Sequence, residues 1–185
     1  CTTGKFQDQT KQSSCDACDA CASGTIRSNC GGNDKGSCAN CEDGSWKSGA
    51  MSWNSKCTQC LAGRYGHLGY SKTSQAHCHD CASGKAQLVP GQTSCTACSS
   101  CPAGKVRTGC GLAGTGSCES CAQGSHKDGP HQWNTGCKLC GTGKYGSAVH
   151  SRTGEHHCRN CPAGQFRDAS GFTDCVTCAV GQYQS

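Results

Sequence analysis

The fold is decided by residues 15–41, CDACDACASGTIRSNCGGNDKGSCANC, and by residues 95–121, CTACSSCPAGKVRTGCGLAGTGSCESC. Every cysteine of the first stretch reappears 80 places later in the second. The register continues outward. Cys57, Cys60, Cys78 and Cys81 recur at Cys137, Cys140, Cys158 and Cys161, and aligning 15–81 with 95–161 gives identity at roughly four positions in ten without a gap. Arg27 and Arg107, Trp53-Asn54 and Trp133-Asn134, Tyr65-Gly66 and Tyr145-Gly146, and His77 and His157 also fall in register. A fixed period of this kind marks an array of stacked units.

A shorter period lies inside the long one. Ten cysteines open the pattern Cys-x-x-Gly: Cys1, Cys21, Cys41, Cys60, Cys81, Cys101, Cys121, Cys140, Cys161 and Cys178. Two residues after each glycine stands Phe6, Ile26, Trp46, Tyr65, Ala86, Val106, His126, Tyr145, Phe166 or Tyr183. The placement predicts a miniature core in each unit, with a ring or branched chain against the local bridge. The glycine predicts a positive φ or a close backbone approach beside it.

Composition sets the same limits. The 185 residues include 23 cysteines and 27 glycines, while Leu, Ile, Val and Phe together make up under a tenth of the chain. Without cross-links such a chain could not offset the entropy of ordering its backbone, about 1–2 kcal/mol per residue. Cysteine at this density implies disulfides and an oxidising compartment, so the expected location is extracellular, secreted or at the cell surface. The net charge of +5 is spread over single Lys and Arg residues, which argues against nucleic acid. No apolar stretch approaches a membrane span of ~20 residues, so no membrane insertion is expected within this segment. Asn-x-Ser/Thr is absent; the many Ser and Thr residues leave O-glycans possible.

The spacing Cys1-x13-Cys15-x2-Cys18-x2-Cys21-x8-Cys30-x7-Cys38, repeated from Cys81 to Cys118, resembles one six-cysteine domain of the tumour-necrosis-factor receptor family. Cys161-Pro-Ala-Gly-Gln-Phe, Cys101-Pro-Ala-Gly-Lys-Val and Gly171-Phe-Thr-Asp-Cys175 resemble ephrin-receptor-like cysteine-rich repeats. The resemblance implies a pairing of Cys1–Cys15, Cys18–Cys30, Cys21–Cys38, Cys81–Cys95, Cys98–Cys110 and Cys101–Cys118. Between these it implies simple loops, Cys41–Cys57, Cys60–Cys78, Cys121–Cys137 and Cys140–Cys158, with Cys161–Cys175 after them. The expected fold is small and disulfide-rich, an elongated tandem array of short irregular β-hairpin modules with little helix and no large hydrophobic core. The expected domains are 1–40 and 81–120 (six-cysteine), 41–80 and 121–160 (two simple loops each), and 161–185, the start of a third repeat.

Cys178 is left without a partner. By register its mate would fall at 110 + 80 = 190, so the expectation is a longer chain or a bond to another molecule. Zinc is the competing reading of Cys-x-x-Cys, since Cys38-x2-Cys41-x15-Cys57-x2-Cys60 has a zinc-site spacing. Cys57-x2-Cys60-x17-Cys78-x2-Cys81 fits as well, however, and one pair cannot serve two tetrahedral sites. The histidines around Cys78 and Cys158 read as surface residues beside a bridge rather than as ligands. No metal, cofactor or catalytic residue is therefore assigned, and no enzyme is expected. Trp53 and Trp133 are candidates for a contact surface, though capping a disulfide is the preferred role.

The leading function is structural: a stalk, rod, surface coat or filament subunit that contacts itself head to tail or other extracellular proteins. The first alternative is the ligand-binding ectodomain of a surface receptor. The other is an intracellular zinc-binding protein.

Overall fold

The computed structural model describes residues 1–182, so Tyr183 lies outside the described residues. The fold consists of small antiparallel hairpins strung in tandem. Each Cys-x-x-Gly opens a strand two to four residues long in most hairpins, and the partner strand adjoins the closing cysteine. Lys5–Phe6 pairs with Asp16–Ala17, Thr25–Ser28 with Ser37–Asn40, and Ser45–Trp46 with Thr58–Gln59. Arg64–Gly66 pairs with Cys78–Asp80, with Tyr65 opposite His79. The second repeat follows suit in Ser125–His126 with Lys138–Leu139 and Lys144–Gly146 with Cys158–Asn160. The helical content among the described residues is two single 3-10 turns, Gln75–His77 and Glu155–His157.

The glycine expectation is met at all ten openers. Gly4, Gly24, Gly44, Gly63, Gly84, Gly104, Gly124, Gly143, Gly164 and Gly181 have φ between +71° and +90°. That region is costly for residues bearing a Cβ. The turn so formed sends the glycine carbonyl to the cysteine that begins the next unit but for a few residues: Cys18 N–H donates to Gly4 O at 2.9 Å, Cys41 to Gly24 at 2.8 Å and Cys60 to Gly44 at 2.8 Å.

The core differs from the expectation of one packed ring per module. Its buried apolar members are cysteines plus Ala86, whereas Phe6, Ile26, Trp46, Tyr65, Val106, Tyr145 and Phe166 are only half-buried. A short hairpin covers such a side chain on one face only, while a sulfur bridge is compact enough to be enclosed by the hairpin that makes it; His126 is the buried ring of the set. The eleven disulfides join the cysteine pairs set out above, with Cα–Cα separations of 5.3–6.4 Å. Cys178 is the one unbridged cysteine among the described residues. Alkylating the native, unreduced protein is expected to add one group per chain, at Cys178, by peptide mass mapping; modification of several cysteines would refute this pairing.

The backbone divides into two compact units, one of residues 1–96 with 111–114 and the other of 97–110 with 115–185. Within the first, a ladder of backbone hydrogen bonds steps from module to module. Gly24 N–H donates to Lys47 O at 2.8 Å and Lys47 N–H to Lys72 O at 2.9 Å; likewise Gly63 N–H donates to Gln87 O and Gln87 N–H to Leu112 O. The second unit repeats it, with Gly104 N–H on Lys127 O and Lys127 N–H on Arg152 O.

Candidate functional site

The residues with most to do are those that join modules. Lys47 and Lys127 are in register and each is 2 % exposed, a rare state for lysine. Their ammonium groups donate to backbone carbonyls of the preceding module. Lys47 Nζ reaches Cys21 O at 2.8 Å and Thr25 O at 2.9 Å; Lys127 Nζ reaches Cys101 O and Lys105 O, both at 3.0 Å. Lys72 and Arg152 repeat the device one module on, donating to Cys41 O and Cys121 O. Arg27 and Arg107 act inside their hairpins: Arg27 donates to the carbonyls of Asp19, Lys35 and Gly36, and Arg107 to those of Ser99, Thr115 and Gly116. A cation placed on several carbonyls forms charge-assisted bonds that satisfy acceptors the short strands leave open.

Sequence reasoning singled out Arg27 and Arg107 by their register but passed over Lys47 and Lys127. The signal existed, since both lysines are identical in the two repeats. It was hidden because a lysine reads by default as a solvated side chain.

A second contact spans two modules. A methyl group at Gly4 would lie 2.8 Å from the indole Nε1 of Trp53, so the ring rests directly on that glycine. Gly24 meets Lys72 and Thr73 in the same way, Gly44 meets Gly91 and Gln92, Gly104 meets Arg152 and Thr153, and Gly124 meets Gly171 and Phe172. These five openers are thus covered by the loop two modules later, whereas Gly164 has nothing within 4 Å. Trp133 is half-buried, like Trp53. Trp53→Ala is expected to lose about 1–3 kcal/mol, less than the ~3–5 kcal/mol of a fully buried aromatic truncation because the ring is partly exposed. Faster hydrogen exchange at the Cys18 amide would report it; unchanged exchange would remove Trp53 from the packing.

The histidines part from the surface reading. His77 and His157 are fully buried, whereas His156 is exposed. His77 Nδ1 lies 3.2 Å from Tyr70 O and His157 Nδ1 3.0 Å from His150 O, so each donates there as the Nδ1–H tautomer. Their Nε2 atoms, buried without partners, sit over Gly66 and Gly146. His67, Tyr65, Tyr70 and His79 form a ring cluster with centroids 4.3–6.1 Å apart. His131 bonds Asp128 at 2.9 Å. That bond holds the Asp128 carboxyl below its ordinary range, and Lys144 does the same for Glu155. Burial pushes His126 below the usual imidazole range, against the opposing pull of Asp128 and Glu155.

With this geometry in view, one comparison bears on the C-terminal part. Residues 146–185 match the family model described as tyrosine-protein kinase ephrin type A/B receptor-like. That segment is similar to an ephrin-receptor-like cysteine-rich repeat. The ephrin-receptor-like match takes in the Cys161–Cys175 bridge and the hairpin of Gln165–Phe166 with Val176–Thr177. The hairpins of the matched segment follow the same Cys-x-x-Gly plan as those before it. Among solved structures, the chain is similar to one in a crystal structure of a mouse RANKL-OPG complex, at 21 % identity over 72 % of this chain and 98 % of that chain, with a TM-score of 0.32. No curated protein matches the sequence.

Proposed function

We propose that this segment is a structural repeat region of an extracellular or cell-surface protein, serving as a stalk, coat or filament subunit. The observation that carries the reading is the kind of contact joining the modules. Lys47, Lys72, Lys127 and Arg152 bind backbone carbonyls, and the openers at Gly4, Gly24, Gly44, Gly104 and Gly124 pack on loops two modules away. A carbonyl is present whatever side chain the position carries, so one joint can recur without tuning each copy. Repetition with constant joints suits a scaffold, in which each unit need only fit its neighbours.

Exposed apolar side chains favour a second reading, a protein-binding ectodomain. Leu88, Val89 and Leu112 in the first unit and Val149 in the second are more than half exposed. Electron microscopy of the native protein separates the readings. Ordered polymers or a continuous surface coat would support the structural role. A monodisperse monomer that captures a soluble extracellular protein through those side chains would sink it.

A further inference from the structure

The second repeat places an imidazole where the first has an indole: His126 stands in register with Trp46. His126 is 7 % exposed, and its Nδ1 lies 3.3 Å from Cys158 Sγ. Cys140 and Cys158 are also buried, and the donor atoms of all three residues lie within 4.8 Å of one another. In the oxidised chain the two sulfurs are bonded to each other, so they have no thiolate to offer.

We propose that reduction of the Cys140–Cys158 bridge by a dithiol converts this corner into a site for a thiophilic divalent cation, zinc above all, held by two thiolates and His126 Nδ1. The exchange is balanced. The dithiol gives up two electrons and two protons and closes to its own disulfide, while the Cys140–Cys158 bond breaks to two thiols. The cation then displaces the two thiol protons to solvent, and a water fills the fourth position.

The geometry is close to what the metal requires. Zinc–sulfur bonds of ~2.3 Å and zinc–nitrogen bonds of ~2.0–2.1 Å in a tetrahedron put sulfur and nitrogen ~3.6 Å apart and the sulfurs ~3.8 Å apart. The nitrogen is already near that distance from Cys158 Sγ. The sulfurs can part by side-chain rotation across a Cα–Cα separation of 5.3 Å. His126 sits on the two-residue strand Ser125–His126, paired with Lys138–Leu139, so the third ligand is held by hairpin backbone. Set against it is the equivalent bridge Cys60–Cys78, where Trp46 replaces the imidazole and offers no ligand.

The test uses that built-in control. The intact chain, with Cys178 alkylated beforehand, is treated with rising dithiothreitol until the Cys140–Cys158 and Cys60–Cys78 bridges open. The dithiol is removed, zinc is added or withheld, and thiols are alkylated and mapped by peptide mass. Zinc is expected to protect Cys140 and Cys158 and to leave Cys60 and Cys78 reactive. Cobalt(II) is expected to bind at one equivalent with a thiolate charge-transfer band. Both signals should be lost in His126→Trp, which installs the residue the first repeat already accommodates. Equal protection of the two pairs, protection that survives His126→Trp, or opening of Cys140–Cys158 only on unfolding of the whole chain would each overturn the proposal.

Discussion

Gly44→Ala is expected to uncouple the module that opens at Cys41 from the one that opens at Cys81. An added Cβ would fall 2.1 Å from Gly91 O and 2.5 Å from Gly91 C, both backbone atoms that no rotamer change can move aside. Gly44 also has φ +83°, where a side chain costs roughly 1–2 kcal/mol by itself. Overpacking against fixed backbone adds about 1–3 kcal/mol, giving a total of ~2–5 kcal/mol. Gly49→Ala separates the two causes. Gly49 has φ +65° with nothing within 4 Å, so it should lose only the conformational part. The readout is hydrogen exchange at the Gly91 amide, bonded to Cys60 O, and at the Gly66 amide, bonded to Gln92 O. Both amides should exchange much faster in Gly44→Ala and near the native rate in Gly49→Ala. Equal effects of the two substitutions would show that the contact with Gly91 is not what holds the junction.

Lys127→Met should cost nearly as much by a different route. Methionine keeps most of the buried stem, so little volume is lost. What disappears is the charged donor on Cys101 O and Lys105 O. A hydrogen bond to a charged group contributes about 1.5–3 kcal/mol, and a buried acceptor left unpaired costs about 1–3 kcal/mol. The expected loss is therefore ~2–4 kcal/mol, concentrated in the second unit. Exchange at the Gly104 amide, which donates to Lys127 O, should rise, while exchange at Gly24, the equivalent position of the first unit, should not. Lys127→Arg keeps the charge but replaces a compact ammonium with a planar fork in an enclosed site, so it should rescue only in part. If Lys127→Met leaves Gly104 protected, the lysine is a passenger in the junction.

How legible this protein was in its sequence depended on which forces were at work. Cysteine and glycine act locally and by spacing. The ten Cys-x-x-Gly openers could be read as hairpin starts because the turn's geometry needs a residue without Cβ. The joints were less visible, because a joint is a distance relation between residues some 25–50 apart. The stacking of Trp53 on Gly4 leaves no trace in either local sequence. Lys47 and Lys127 were hidden by chemical type, and so were His77 and His157, which read as surface residues beside a bridge. Most of the expected ring-centred cores did not form as such, because a short hairpin encloses its sulfur bridge but covers a large side chain on one face only; His126 is the buried ring among them. The His126 corner was the least legible of all. It exists only once the hairpins of 121–139 and 140–160 are folded against each other.

Covering an opener such as Gly4 with the loop two modules later also sets a timetable. Bridges such as Cys1–Cys15 and Cys18–Cys30 close over 12–18 residues, so each can form almost as soon as its second cysteine emerges. The packing of Gly4 must wait for Trp53, 53 − 4 = 49 residues further along. At synthesis rates of ~5–20 residues per second, that wait is roughly 2–10 s. During it a nascent module is cross-linked but unroofed, with its glycine turn open to solvent. Where openers are covered in this way, the growing chain therefore carries a travelling zone of about two unfinished modules behind its leading edge, and oxidation runs ahead of packing.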